Sequence, residues 1–309
     1  MGVATRKAFG EAIVRVGEDE RIVVLTGDLR DSTRTGPFAE KYPERFVECG
    51  IAEKNMLGMA AGLALSGKIP WAASFSAFVT GRLEVVRVSV AYQEANVRIV
   101  GTHTGIGVGE DGYSQMSFED IAAMRTLPNM AIINPADGTE TERAVEYLVE
   151  HEGPAFLRLT RQEVENVHED GYRFEFGKIE TLRDGTDVGL FATGATVAEA
   201  LKAAEILEAE GTSARVLNVH TIKPLDEEAV LEAAAACRAL LSVEDHSAVG
   251  GLGGAIAETL AARGAHAPLR IIGHRTFGES GPTGELFERY GLSGERIAEA
   301  AREHLAANR

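Results

Sequence analysis

One rhythm runs through this chain twice. Short apolar runs alternate with helix-patterned stretches, the alternation breaks once, and then it restarts. In the first half the runs fall at 22–25, 71–75, 97–100, 130–133 and 155–159, with helical spacing at 5–16, 53–65, 79–90, 118–125 and 139–149. Such alternation predicts βαβ units, with helices covering both faces of a buried parallel sheet. A polar, aromatic-poor stretch at 162–170 interrupts it, and a hairpin-like piece is expected around 172–182. Runs then recur at 188–191, 215–219, 239–243 and 269–272, with helices at 196–209, 226–236, 254–262 and 294–306. Asp226 reads as the N-cap of its helix. The fold class expected is α/β: two three-layer α/β/α domains with mainly parallel sheets, at 1–166 and 187–309, joined by a linker at 167–186.

A chain of 309 residues has room for two such domains, and 45% hydrophobic with 25% charged residues is ordinary for a soluble protein. The net charge of −16 argues against nucleic acid or an anionic membrane as partner, since both require clustered Lys and Arg. A few local arginines can still receive an anionic substrate. No apolar run reaches membrane-spanning length, and none follows Met1–Lys7 as a secretory core. Cys49 and Cys237 lie far apart and read as reduced thiols, so a cytoplasmic location is expected. The eight histidines lack metal-ligand spacing, and no metal site is expected in this chain.

Several segments carry chemistry-bearing residues. Glu53 opens an apolar, small-residue helix, where burial disfavours a charged carboxylate and a protonated one can donate to a ring nitrogen; it can equally be a helix-N-terminal acid facing the macrodipole. The glycine-dense loop 101–112 follows a strand and carries His103 and Asp111. Ligands of open parallel sheets gather at such strand ends, and glycines allow close backbone approach, though a flexible turn reads the same way. Phe75 and Phe78 suit either the core or an aromatic slot for a flat heterocycle. Arg6 in the opening helix, and Ser32 and Arg161 after separate strands, offer groups suited to an anion or to solvent. Asp28 ends the first strand, as a turn acid or a site acid.

Taken together these segments resemble transketolase along almost the full chain. The resemblance rests on Gly27-Asp28-Leu29-Arg30-Asp31-Ser32-Thr33, Gly50-Ile51-Ala52-Glu53, Gly101-Thr102-His103, Gly107 through Gln115, Arg125-Thr126-Leu127-Pro128-Asn129, Pro135-Ala136-Asp137-Gly138, Thr221 through Asp226 and Val243-Glu244-Asp245-His246. It covers the family's pyrimidine-binding and C-terminal domains only. The family's Gly-Asp-Gly…Asn signature, which holds diphosphate and Mg²⁺, is not found here.

The resemblance implies one subunit of a split, two-subunit transketolase. Its partner would be an N-terminal-half subunit supplying the thiamine diphosphate clamp and the Mg²⁺ or Ca²⁺ ligands, in an α2β2 heterotetramer. The reaction implied moves a two-carbon ketol unit from a ketose phosphate to an aldose phosphate. Carried over by position, Glu53 would bond N1′ of the aminopyrimidine, Phe75 and Phe78 would wall it, and Asp28, Leu29 and Gln115 would lie near the cofactor. His103 and Asp111 would hold donor hydroxyls, with His103 also catalytic, while Arg6, Ser32 and Arg161 would grip the sugar phosphate. Several relatives carry His where Gln115 stands. Three rivals remain: a 1-deoxy-D-xylulose-5-phosphate synthase-like chain, a 2-oxoacid dehydrogenase E1 β-type subunit, and a degenerate structural partner. The Thr-His-Thr-Gly setting of His103 favours a ketose donor over pyruvate, and Arg6, Ser32 and Arg161 fit an E1 β-type chain poorly. A scaffold would need none of Glu53, His103, Asp111 and the two phenylalanines together.

Overall fold

The computed structural model describes residues 2–169 and 171–308. Among the described residues, twelve strands form two sheets. They are β1 (Ile22–Thr26), β2 (Phe46–Glu48), β3 (Ile69–Phe75), β4 (Arg98–Thr102), β5 (Ala131–Ile133), β6 (Ala155–Arg158), β7 (Glu180–Arg183), β8 (Val188–Ala192), β9 (Ala214–Asn218), β10 (Thr221–Lys223), β11 (Ala239–Ser247) and β12 (Leu269–His274). The first sheet runs β10-β5-β6-β4-β3-β1-β2 and the second β12-β11-β8-β9-β7. All neighbours are parallel except β10 on β5 and β7 on β9.

Twelve α-helices flank the sheets: α1 (Thr5–Val16), α2 (Gly36–Lys41), α3 (Glu53–Leu65), α4 (Ser76–Thr80), α5 (Leu83–Val85), α6 (Asp120–Arg125), α7 (Gly138–Glu150), α8 (Thr196–Ala209), α9 (Glu227–Ala236), α10 (Leu252–Arg263), α11 (Thr283–Arg289) and α12 (Gly294–Ala307). Strands β1, β3, β4, β6 and β8 are buried along their whole length, as a sheet covered on both faces requires. One face of the first sheet packs Phe9 and Ile13 of α1 with Val145 and Leu148 of α7. The other face packs Met56, Leu57 and Ala60 of α3.

Caps set several helix starts. Asp226 accepts from Ala229 N–H, as its N-cap assignment predicts, while Asp137 caps α7 through Glu140 N–H and Ser293 caps α12 through Arg296 N–H.

One expectation needs correction. The helical pattern at 79–90 is broken: α4 ends at Gly81, and α5 passes into a π-turn at Val86–Ala91. Valines at 85, 86, 88 and 90 crowd χ1 there and weaken a regular helix. The stretch 167–186 contains β7, an edge strand of the second sheet.

Candidate active site

The predicted site residues follow the carboxyl ends of parallel strands in the first sheet. Gly27 and Asp28 follow β1, Glu53 follows β2, Phe75 ends β3, His103 follows β4 and Arg161 follows β6. Arg6 joins them because α1 is pinned to the chain after β6: Thr160 N–H donates to Thr5 Oγ1 at 2.7 Å.

Glu53 is the first residue of α3 and only 6% exposed. Its Oε1 accepts from Ser74 Oγ at 3.4 Å, which ties it to the residue before Phe75. Gly27 makes room for it, since a Cβ there would lie 3.2 Å from Gly50 O and 3.4 Å from Glu53 Oε1. Phe75 sits between two rings: Phe78, with centroids 5.4 Å apart at 19°, and His103, 3.7 Å apart at 22°.

His103 is a non-glycine residue at φ +57°, where strain collects at functional positions. Its Nδ1 lies 2.9 Å from Thr102 Oγ1, and its Nε2 lies 3.3 Å from Arg6 Nη1. A guanidinium can only donate, so Nε2 is the acceptor and the proton of the neutral ring is assigned to Nδ1. Burial, then the charges of Arg6 and Arg161, lowers the His103 pKa to about 3, so the ring is neutral near pH 7.

Arg6 also donates to Ser32 O at 2.8 Å, and its Nε is buried without a partner. Burial, together with the charges of Arg34 and Arg161, lowers its pKa to about 10. Arg161 donates to Val108 O at 3.2 Å, with its Nε 3.6 Å from Asp111 Oδ2. Three guanidiniums thus crowd one place where an anion would relieve their repulsion. Sequence reading missed Arg34. Its signal is conformational: φ is +63° there, and a Cβ on Gly10 would come 2.5 Å from its carbonyl oxygen.

Asp28, Leu29 and Ser32 line an open cleft of about 480 Å³ with Glu48 and Phe46. Asp28 has φ +60°, and its N–H donates to Glu48 Oε1 at 2.7 Å. The Gln115 side chain donates to its neighbour Ser114 at 3.2 Å, and its backbone N–H donates to Gly112 O at 3.0 Å.

Behind the site, two buried polar groups join the sheets. Asp120 accepts from Ser76 Oγ at 2.7 Å and Arg158 Nε at 2.9 Å, and Arg158 also donates to Asp245 O at 2.9 Å. Elsewhere Glu140, His168 and Glu180 converge, a grouping that sequence spacing did not reveal. His168 Nδ1 lies 3.1 Å from Asp137 Oδ2, and its Nε2 lies 2.8 Å from Glu180 Oε2.

Two family models match the chain and set its class: the transketolase pyrimidine-binding domain matches residues 1–166 and the transketolase C-terminal domain matches residues 177–297. A Methanocaldococcus jannaschii protein described as a transketolase C-terminal section is 47% identical over 97% of this chain and 96% of its own length. One of the subunits of the apulose-4-phosphate transketolase of Phocaeicola vulgatus is 40% identical over 97% of each chain. A solved split-gene transketolase, an inactive β4 tetramer, superposes with TM-score 0.91 at 41% identity over 100% of both chains. The chain belongs to the transketolase family and is a transketolase subunit; the family depends on thiamine diphosphate.

Proposed function

We propose that this subunit transfers a two-carbon ketol unit from a ketose phosphate to an aldose phosphate, in complex with a second subunit. That partner supplies the diphosphate clamp and its Mg²⁺ or Ca²⁺ ligands, in an α2β2 assembly. The observation that carries the reading is a linked series at the carboxyl ends of β3 and β4: Glu53 to Ser74, Phe75 stacked on His103, and His103 bonded to Arg6. The inactive homotetramer of the similar split-gene protein supports the need for a partner. The sugar-phosphate transketolase among the relatives supports the substrate class. The domain boundaries proposed are 1–166 and 187–309, with 167–186 between them.

The residues fit thiamine diphosphate at its pyrimidine end. Glu53 is a buried carboxylate with, among the described residues, one weak side-chain donor, and Phe75 and Phe78 are stacked flat rings. When bound, the cofactor supplies the carbanion chemistry. With the cofactor bound, Glu53 would hydrogen-bond N1′ of the aminopyrimidine and place a proton there. Phe75 and Phe78 would orient that ring and keep water from it, while Asp28, Leu29 and Gln115 would flank the cofactor. Neutral His103, held by Thr102 and Arg6, bonds donor hydroxyls with Asp111. Arg6, Ser32 and Arg161 take the sugar phosphate, and Arg34 adds charge.

The test is reconstitution with a diphosphate-binding transketolase subunit. Ketol transfer from a ketose phosphate is expected for the pair and absent for this chain alone. Transfer by this chain alone would overturn the two-subunit reading, and an inert pair with every ketose phosphate tried would overturn the ketol-transfer reading.

A further inference from the structure

The glycine loop that carries His103 and Asp111 belongs to the first domain, yet a residue of the second domain holds its backbone. Asp245, in β11, is 4% exposed. Its Oδ1 accepts from Ile106 N–H at 2.7 Å, and its Oδ2 lies 3.4 Å from Gly107 N. His274, at the end of β12, donates from Nε2 to the same Oδ1 at 2.7 Å. Its ring lies flat on Phe118, centroids 3.9 Å apart at 11°. Arg158 fixes the Asp245 backbone from the first domain. The loop is shaped for this contact: Gly105 has φ +70°, and a Cβ on it would lie 2.1 Å from Asp245 Oδ2. Thr283 adds a second tether, donating to Gly107 O at 3.3 Å.

We infer that Asp245 is a positioning residue for the substrate loop: through Ile106 and Gly107 it sets where Asp111 and Arg161 stand, and His274 holds it in register. The substrate side of this inference rests on the proposed ketol-transfer reading; the structural side does not. Buried charge-assisted bonds to backbone N–H are among the stronger hydrogen bonds, and an unpaired N–H left behind is costly. The bonds therefore restrain the loop before any sugar arrives. Asp245 touches the loop's backbone only, so losing it should spare the pyrimidine end at Glu53. The second domain thereby tunes sugar binding without lending a side chain to the reacting atoms.

Hydrogen–deuterium exchange on the assembled two-subunit complex gives the first arm. D245N is expected to speed exchange of the Ile106 and Gly107 amides at least about tenfold, the scale of one lost hydrogen bond, while β4 amides keep their protection. E244Q is the control. Its carboxylate is equally buried on the same strand but accepts from Leu252 and Gly253 N–H, so it should leave the loop unchanged. G105A, which forces a methyl onto the same carboxylate, should loosen the loop as D245N does and serves should D245N fold poorly. Unchanged loop protection in D245N or G105A, or equal deprotection in E244Q, overturns the inference whatever the enzyme does. The second arm is kinetic: D245N should raise the donor KM about tenfold with kcat within about threefold and thiamine diphosphate affinity unchanged. Parallel losses in all three would make Asp245 merely structural. A wild-type complex inert toward every ketose would sink the ketol-transfer reading and leave the exchange arm decisive.

Discussion

The His103 imidazole lies on the Phe75 ring with centroids 3.7 Å apart, while Arg6 donates into its edge. A protonated ring there would face Arg6 and Arg161 in a water-poor setting, and its pKa of about 3 follows from that. His103 therefore works as a neutral hydrogen-bonding group across the working pH range. H103N is predicted to lower kcat/KM by about 10²-fold at every pH, with the shape of the profile kept. The check is kcat/KM from pH 5 to 9 for both proteins. A wild-type limb near pH 6.5 that vanishes in H103N would refute neutrality.

Glu53→Gln keeps the shape and one donor but cannot exchange a proton with N1′. Turnover of the reconstituted complex should fall by at least about 10²-fold, the usual scale for acid–base groups. Assembly, followed by sedimentation, should be intact. Wild-type turnover in this variant would end the proton-placing role.

Arg161→Ala removes one of three clustered guanidiniums and the partner of Asp111. KM should rise roughly 10–100-fold for a phosphorylated donor, from the loss of about 1.5–3 kcal/mol in charged hydrogen bonds. The unphosphorylated analogue should suffer far less. Equal increases for the two sugars would show that Arg161 does not meet the phosphate.

His168 provides a pH test of stability. Burial alone would lower its pKa, but hydrogen bonds to Asp137 and Glu180 and the charge of Glu140 outweigh burial and raise it to about 10. The folded value lies above the ordinary 6.5, so its stabilisation is complete below pH 6.5 and is lost as pH rises through 10. H168Q should cost about 3 kcal/mol at pH 6, as breaking a buried pair does, and less at pH 10. Urea unfolding at both values measures this; a pH-independent cost would refute the charged pairing.

Much of the fold was legible because burial on both sheet faces writes itself as apolar runs. The bounds expected for α1, α3 and α8 match the structure residue for residue. Three strands left no such trace. Strands β2 and β7 are partly exposed edges, and β10 pairs across to the other half of the chain. The site shows the same division. Residues at strand ends and in glycine-rich motifs, such as Glu53 and His103, stood out in sequence, whereas Arg34 depends on a left-handed backbone and Asp245 acts on Ile106 from 139 residues away. Gln115 shows the opposite case, a motif position whose side chain bonds only its neighbour Ser114 among the described residues.

Thr221–Lys223, from the later half of the chain, lies antiparallel along Ala131–Ile133 and closes one margin of the earlier sheet. Cutting the chain between its halves would strip that margin and leave a row of bare amides and carbonyls, ready to recruit another molecule's strand. The later half thus seals an edge of the earlier sheet against stray pairing.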